Sequence, residues 1–325
     1  MDVVLVPDFE GRKRRYFQNT TNLFLASWLE HGSHTTHNRL HVVCIGEPPT
    51  STVRLIERAR ASLVVKRPVP GPDRFRNKLR GFEINPSRYK LMLLDTDIVL
   101  WGRIDEIANL VRSNDIAAGF ANDAHLSLAQ WLTVYDGLGM DMPADRVSML
   151  NAQFAGGWGN PMHSREASRT LPYFNGGVVV AAWASGLGEQ WRRLIDEIPA
   201  MLDGEKPLHP FAVLDQPALA VAVDICCRRG VAFGVLPHVA HARWQHFYLG
   251  LIDADEALLV HNVGMFNGQE AADVRAGIRA YGARLRARAA QIDKRGQSRG
   301  SLRMNAYVDK LEAYLLMLHA KWLVA

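Results

Sequence analysis

The stretch YKLMLLDTDIVLWGRID, Tyr89 to Asp105, decides how this chain reads. At its centre, Asp95 and Asp97 interrupt an apolar run. A buried carboxylate is costly unless it is paired, protonated or bound to a cation. Leu91–Leu94 is short, continuous and apolar, as in a central strand covered on both faces. Alternation along such a strand would send Asp95 and Asp97 to the same side. Two carboxylates at the carboxyl end of a strand can hold one divalent cation, and that edge is where open α/β sheets bind ligands. The plainer reading is an Asx-type turn that closes the strand, so the rest of the chain has to decide.

Outward from this stretch, strands and helices alternate. VVLV (3–6) reads as a strand, Tyr16–Glu30 as an amphipathic helix and HVVCIG (41–46) as a strand. A helix over 52–61 and a short strand, SLVV (62–65), follow. KRPVPGP (66–72) is loop, and Asp73 is placed to cap a helix running to about Glu83. Beyond the DTD run come a helix near 104–112 and a strand at 115–120. Residues 122–172 are rich in Gly, Met, Asn and Pro and read as an inserted lid or binding loop. YFNGGVVVAAW (173–183) reads as a strand and 186–198 as a helix. VLDQPALAVAVDICC (213–227) follows as a helix, then VAFGVLP (231–237) and ALLVHNVG (257–264) as strands. Alternation of this kind predicts an α/β fold with helices on both faces of its sheet.

Two amphipathic stripes end the sequence. Val274, Ile278, Tyr281, Leu285 and Ile292 form one, and Val308, Leu311, Leu315, Leu318 and Trp322 the other. They predict a helical appendage packed on the core, with a dimer contact or a basic face resting on anionic lipid as alternatives. The net charge of +5 resides there: residues 269–325 hold 11 Lys/Arg against 5 Asp/Glu. The rest is near neutral, so the pI of 9.2 does not indicate a nucleic-acid groove.

Composition excludes other classes. No apolar run approaches the ~18–20 residues of a membrane span. The start, MDVVLVPDF, lacks the basic and long apolar regions of a secretory signal and reads as a first strand. Cys44, Cys226 and Cys227 fit neither a metal knuckle nor a redox pair, and read as reduced thiols of a cytoplasmic protein. With no GxGxxG and no GxxxxGK[ST], dinucleotide dehydrogenases and P-loop enzymes are disfavoured.

Five stretches, in order, carry a family resemblance: NKLRGFE (77–83), LLDTDIVL (93–100), FNGGVVV (174–180), LDQPALAVAV (214–223) and HNVG (261–264). The series resembles the metal-dependent GT-A glycosyltransferases, most of all the family 8 group that includes glycogenin and bacterial lipopolysaccharide galactosyltransferases. The likeness implies a GT-A domain over 1–268, with an insertion at about 122–172, and a basic helical extension over 269–325.

The same resemblance implies residue roles. Asp95, Asp97 and His261 would hold Mn²⁺ or Mg²⁺ on the donor's diphosphate, with Asp95 also near the ribose. Lys78 would lie near the donor. Asn175 would contact the donor sugar, and Gly176 and Gly177 would let the backbone approach it. Asp215 would bond sugar hydroxyls, and Gln216 would lie on the far face of the anomeric carbon. A plainer role for Asp215 is helix N-cap before Pro217. The implied reaction moves a hexose from a nucleotide-diphosphate sugar, expected to be a UDP-sugar, to an acceptor hydroxyl with retention. A catalytically silent sugar-nucleotide binder or scaffold is the rival, and a sugar-nucleotide pyrophosphorylase ranks lower. The expected location is cytoplasmic, with peripheral contact at the inner membrane face as an option.

The sequence departs from the family pattern after His261. HNVGMFNGQ has Asn267 where the family carries a lysine. LPHVAHARWQHF (236–247) offers His238, His241, Arg243 and His246 where the family often has an Asn-containing LPxxxN segment, and Arg243 is a candidate replacement cation. Asp8 is placed near the nucleotide base without an assigned contact. Phe154 and Trp158 could stack on an acceptor sugar, whereas Trp101 reads as packing. His31, His34, His37 and His41 read as a polar loop more readily than as a metal site.

Overall fold

The computed structural model describes residues 1–32, 37–70, 75–121, 126–145, 147–148, 169–202, 215–262, 265–266, 273–292 and 298–324. The chain divides into two compact units, residues 1–113 with 236–325, and residues 114–235.

The first unit opens with β1 (Asp2–Leu5), α1 (Arg14–His31), β2 (Arg39–Ile45), α2 (Thr50–Arg58) and β3 (Ser62–Lys66). Next come α3 (Phe75–Lys78), β4 (Lys90–Leu94), β5 (Ile98–Leu100) and α4 (Ile104–Leu110). Strands β4, β1, β2 and β3 lie side by side and all parallel. Val3–Leu5 and Leu91–Leu94 are almost wholly buried at the centre of this sheet. Continuous apolar runs therefore form these strands, because both sheet faces are covered.

The DTD run is not part of strand β4, as the alternation argument expected. β4 stops at Leu94, residues 95–97 form a turn, and β5 leaves to pair elsewhere. Aspartate is a poor strand residue and a good turn residue, so two of them close the strand. The helix expected up to Glu83 also changes character: α3 gives way to a 3-10 turn over Leu79–Glu83. There Gly81 sits against Leu93, Val4 and Val6, and an added Cβ would come within 2.6 Å of Leu93.

The second unit contains β6 (Ile116–Phe120), α5 (Leu128–Gly137), β7 (Val147–Ser148), β8 (Arg169–Thr170) and β9 (Phe174–Ala182). It continues through α6 (Leu187–Met201), α7 (Asp215–Arg228) and β10 (Phe233–Val235). β6 runs antiparallel to β9 and parallel to β10. Helix α5 lies inside the segment read as loop. Its start is set by a reciprocal cap in which Ser127 Oγ accepts from the Gln130 backbone N–H and the Gln130 side chain accepts from the Ser127 N–H. The Gly- and Met-rich composition of the surrounding residues masked that signal.

The chain returns to the first unit with α8 (Trp244–Leu249), β11 (Leu259–His261), α9 (Val274–Ile292) and α10 (Arg299–Leu318). β11 pairs antiparallel with β5, and both are shorter than expected. The two terminal stripes are spent on a core. Ile278, Tyr281, Leu285, Met304, Tyr307, Val308, Leu311, Leu315 and Leu318 are buried in one cluster with Val99 and Val260. These residues are therefore not open to a dimer partner or a lipid surface. Trp101 packs on Tyr307 and Tyr314, as expected. No helix among the described residues is long and apolar enough to cross a membrane.

Four strands of the first unit form an all-parallel sheet and three of the second a mixed one, with helices in each unit. This is the α/β, GT-A-like architecture that the sequence implies.

Candidate metal and donor site

The turn after β4 is built by its neighbours. Ile98 N–H closes it on the Asp95 carbonyl at 3.3 Å, and Thr20 of α1 donates to Thr96 Oγ1 at 3.2 Å. The register of the β5–β11 ribbon sets Ile98 opposite His261. Asn262 N–H then donates to the Asp97 carbonyl at 2.8 Å. Residues more than 160 positions apart in sequence are thus brought together by a three-residue ribbon.

His261 Nε2 lies 3.1 Å from Asp97 Oδ1 and 3.8 Å from Asp95 Oδ2. Asp95, Asp97 and His261 each offer one ligand atom, all within 4.8 Å of one another. It is the one such group of three or more found among the described residues. Two carboxylates and an imidazole are a donor set suited to a Mn²⁺-like ion, so these residues fit the metal that the resemblance implies. Lys78 forms a close ion pair with the other oxygen of Asp95, Oδ1. The Asp95 side chain is one-third exposed, whereas those of Asp97 and His261 are buried.

Burial alone would raise the Asp97 carboxyl. The adjacent His261 imidazole and hydrogen bonds from His261 and Tyr16 outweigh it and hold Asp97 below the usual carboxylate range. Tyr16 Oη donates to Asp97 Oδ2 at 2.9 Å, and burial followed by the Asp97 charge pushes this phenol well up. Behind His261 stands His241. Its Nε2 is 3.0 Å from His261 Nδ1, with the ring centroids 5.2 Å apart. Burial, then the nearby Arg243 charge, pushes His241 far down, so this ring is neutral. Arg243 is itself buried at the start of α8; burial, and then the Arg243 charge, also depress His238 and His246.

The remaining expected site residues belong to the second unit. Asn175 lies in β9, where its Oδ1 accepts from Gly177 N–H at 2.7 Å. Gly176 and Gly177 are buried strand residues of β9. Asp215 is buried in the first turn of α7 with Gln216 and Pro217, and its carbonyl accepts from Trp191 Nε1 at 2.7 Å.

Asp8 in the first unit accepts from Glu10 N–H and from the Asn77 amide. His41 bonds Asp2, and His31 packs on Tyr314, so each has a structural role. His34, Asp73, Phe154, Trp158, Gly264 and Asn267 lie outside the described residues. Sequence reasoning missed the site role of Tyr16, which looked like one more residue of an apolar helix face. It noted His241 only as one of the residues standing where the family often has an Asn-containing segment.

The two carboxylates and the imidazole lie at the carboxyl end of a parallel sheet, the edge at which open α/β sheets bind ligands. A sequence profile described as the Rhodobacterales glycosyltransferase domain matches residues 23–226, more than half of the chain. The chain belongs to this glycosyltransferase family. The matched span includes Lys78, Asp95, Asp97, Asn175, Asp215 and Gln216 and ends before His261.

No curated protein matches. Among solved structures, the chain is similar to the glycosyltransferase GlyE of Streptococcus pneumoniae TIGR4, with TM-score 0.48 and 12% identity over 96% of this chain and 64% of that one. It thus spans less than two thirds of GlyE. It is also similar to the galactosyltransferase LgtC solved with donor and acceptor sugar analogues, with TM-score 0.48 and 13% identity over 87% of this chain and 96% of that one. Mouse xyloside xylosyltransferase 1 in its apo form gives TM-score 0.45 and 12% identity over 81% and 98%.

Proposed function

We propose that this glycosyltransferase domain uses a divalent cation, Mn²⁺ or Mg²⁺, to move a hexose from a nucleotide-diphosphate sugar to an acceptor hydroxyl. The observation that carries this reading is the convergence of Asp95, Asp97 and His261 ligand atoms within 4.8 Å. When bound, the ion neutralises charge on the leaving diphosphate as a Lewis acid. The chain's own residues do the rest. Asp97 and His261 are held in place by buried neighbours, so little reorganisation is needed on binding. Lys78, ion-paired with Asp95, is assigned from the resemblance to the donor, where its positive charge would answer that of the departing diphosphate.

From the resemblance, Asn175, Gly176 and Gly177 are assigned to the donor sugar, Asp215 to sugar hydroxyls and Gln216 to the face behind the anomeric carbon. A glutamine amide is a poor nucleophile, so front-face substitution with retention is favoured. The acceptor oxygen bonds to the anomeric carbon, that carbon's bond to the phosphate oxygen breaks, and the same phosphate oxygen takes the acceptor's proton. UDP is the favoured nucleotide. We also assign residues 1–268 to the catalytic domain and 269–325 to a basic helical extension.

Thermal unfolding with UDP, GDP, CDP or ADP, with Mn²⁺ and again with EDTA, tests this reading. A ligand at 100 times its dissociation constant stabilises by about 2.7 kcal/mol. The expected result is a rise with one diphosphate that disappears with EDTA. No rise with any of them favours a silent scaffold instead.

A further inference from the structure

Resting on the cation-site reading above, we propose that His241 is a positioning residue for that site: it accepts the hydrogen bond of His261 Nδ1–H and so keeps His261 Nε2 bare toward the ion.

His261 has two ring nitrogens and two neighbours. Nε2 faces Asp97 at 3.1 Å and Asp95 at 3.8 Å, and Nδ1 faces His241 Nε2 at 3.0 Å. A nitrogen that ligates a metal carries no proton, so the ring's proton must sit on Nδ1 and needs an acceptor there. His241 Nε2 is the side-chain atom in place to accept it.

The backbone holds this geometry. Leu258 N–H donates to Val239 O, Ala242 N–H to Leu259 O and His261 N–H to Ala242 O, each at 2.8 Å. Residues 238–241 form a 3-10 turn that opens into extended backbone at Ala242, which is bridged to Val260 of β11. The two rings meet nitrogen to nitrogen with their planes 21° apart, an orientation that suits an N–H···N bond.

His241 is poorly suited to a merely structural role. It is 2% exposed, and its Nδ1 is buried with no hydrogen-bond partner among the described residues. A half-satisfied buried imidazole stabilises a core no better than a phenyl ring of similar size, and an unpaired buried polar group calls for another explanation. Ordering the ligand behind which it stands is that explanation. Sites of chemistry are where such local costs are retained.

The test compares the full-length wild type with His241→Phe, His241→Gln and Asp97→Asn. Mn²⁺ affinity is read from the electron paramagnetic resonance signal of free Mn²⁺, without donor or turnover. Phenylalanine removes the acceptor; glutamine restores one. His241→Phe is expected to weaken Mn²⁺ binding about 10- to 100-fold, with a melting temperature equal to or above that of the wild type. His241→Gln is expected to recover most of the affinity, and Asp97→Asn to bind no Mn²⁺. Wild-type affinity in His241→Phe overturns the positioning role and leaves the cation site standing. A wild type that binds no Mn²⁺ overturns both.

Should His241→Phe not fold, the ¹⁵N shifts of the wild-type histidines with Mg²⁺ decide. A proton on His261 Nδ1 facing a bare His241 Nε2 supports the proposal. A proton on His261 Nε2 overturns it.

Discussion

Tyr16 reaches Asp97 from 81 residues away, and its phenol donates to Asp97 Oδ2 at 2.9 Å. The bond ties the first turn of α1 to the turn that closes β4. Asp97 Oδ2 is thereby held by Tyr16, while its Oδ1 lies 3.1 Å from His261 Nε2. Tyr16→Phe removes one of these ties and leaves a carboxylate less well oriented. A hydrogen bond to a charged group contributes about 1.5–3 kcal/mol. The expected result is a loss of that order in urea unfolding, together with several-fold weaker Mn²⁺ binding. Unchanged Mn²⁺ affinity would make Tyr16 a stability residue only.

Lys78 yields a prediction of opposite signs. Its ammonium sits on Asp95, where it competes with any cation that the site receives. Its side chain is 12% exposed and that of Asp95 33%, so solvent screens much of the attraction. Lys78→Met is expected to tighten Mn²⁺ binding without nucleotide by about 5-fold, corresponding to roughly 1 kcal/mol. Turnover is expected to fall about 100-fold, because charge on the leaving diphosphate goes unanswered. A fall in both would mean that Lys78 orders Asp95 rather than competing for it.

These two contacts show what was legible in advance. The strand LMLL and the pair Asp95 and Asp97 stood out because charge inside an apolar run is costly and local. His261 could be assigned only through resemblance, since a histidine before Asn-Val-Gly has no local signal. Its neighbour across the ribbon, Ile98, was readable only as strand. Tyr16 and His241 act through tertiary contacts that no spacing encodes. The turn geometry of 95–97 was misread for a related reason: alternation predicts sidedness only while the strand continues, and the aspartates end it. Ser127 and Gln130, by contrast, carried a capping signature in plain view, obscured by the Gly- and Met-rich composition around it.

A second buried carboxylate predicts the acid limb of stability. Asp2 Oδ2 accepts from Ser87 N–H and Arg88 N–H at 2.9 Å each. Its Oδ1 accepts from Ser87 Oγ and lies 3.2 Å from His41 Nε2. Burial alone would raise this carboxyl, but the Ser87 and Arg88 hydrogen bonds outweigh it and lower its pKa below 3.8. The unfolded chain therefore takes up the proton first as pH falls. Asp2 contributes fully above about pH 4, and its contribution is lost as pH drops through the lower folded value. Asp2→Asn is expected to cost about 2–3 kcal/mol at neutral pH and to flatten stability between pH 4 and 2. Urea midpoints across that range check the slope, and an unchanged acid limb would assign it to other carboxylates.

The last prediction concerns the C-terminal helices. Leu311 is 1% exposed on α10, in one cluster with Val99 of β5 and Val260 of β11, the ribbon that carries Asp97 and His261 on its ends. Leu302, on the same helix, is 61% exposed. Leu311→Ala removes buried methyl groups and leaves a cavity, at an expected cost of about 2–5 kcal/mol. Leu302→Ala should stay within about 0.5 kcal/mol of the wild type. Because Leu311 shares its core cluster with Val99 and Val260 of the ribbon, Leu311→Ala should also weaken Mn²⁺ binding below its unfolding midpoint, whereas Leu302→Ala should not. Equal destabilisation by the two substitutions, measured by urea unfolding, would mean that α10 is docked loosely rather than packed into the core that the ribbon shares.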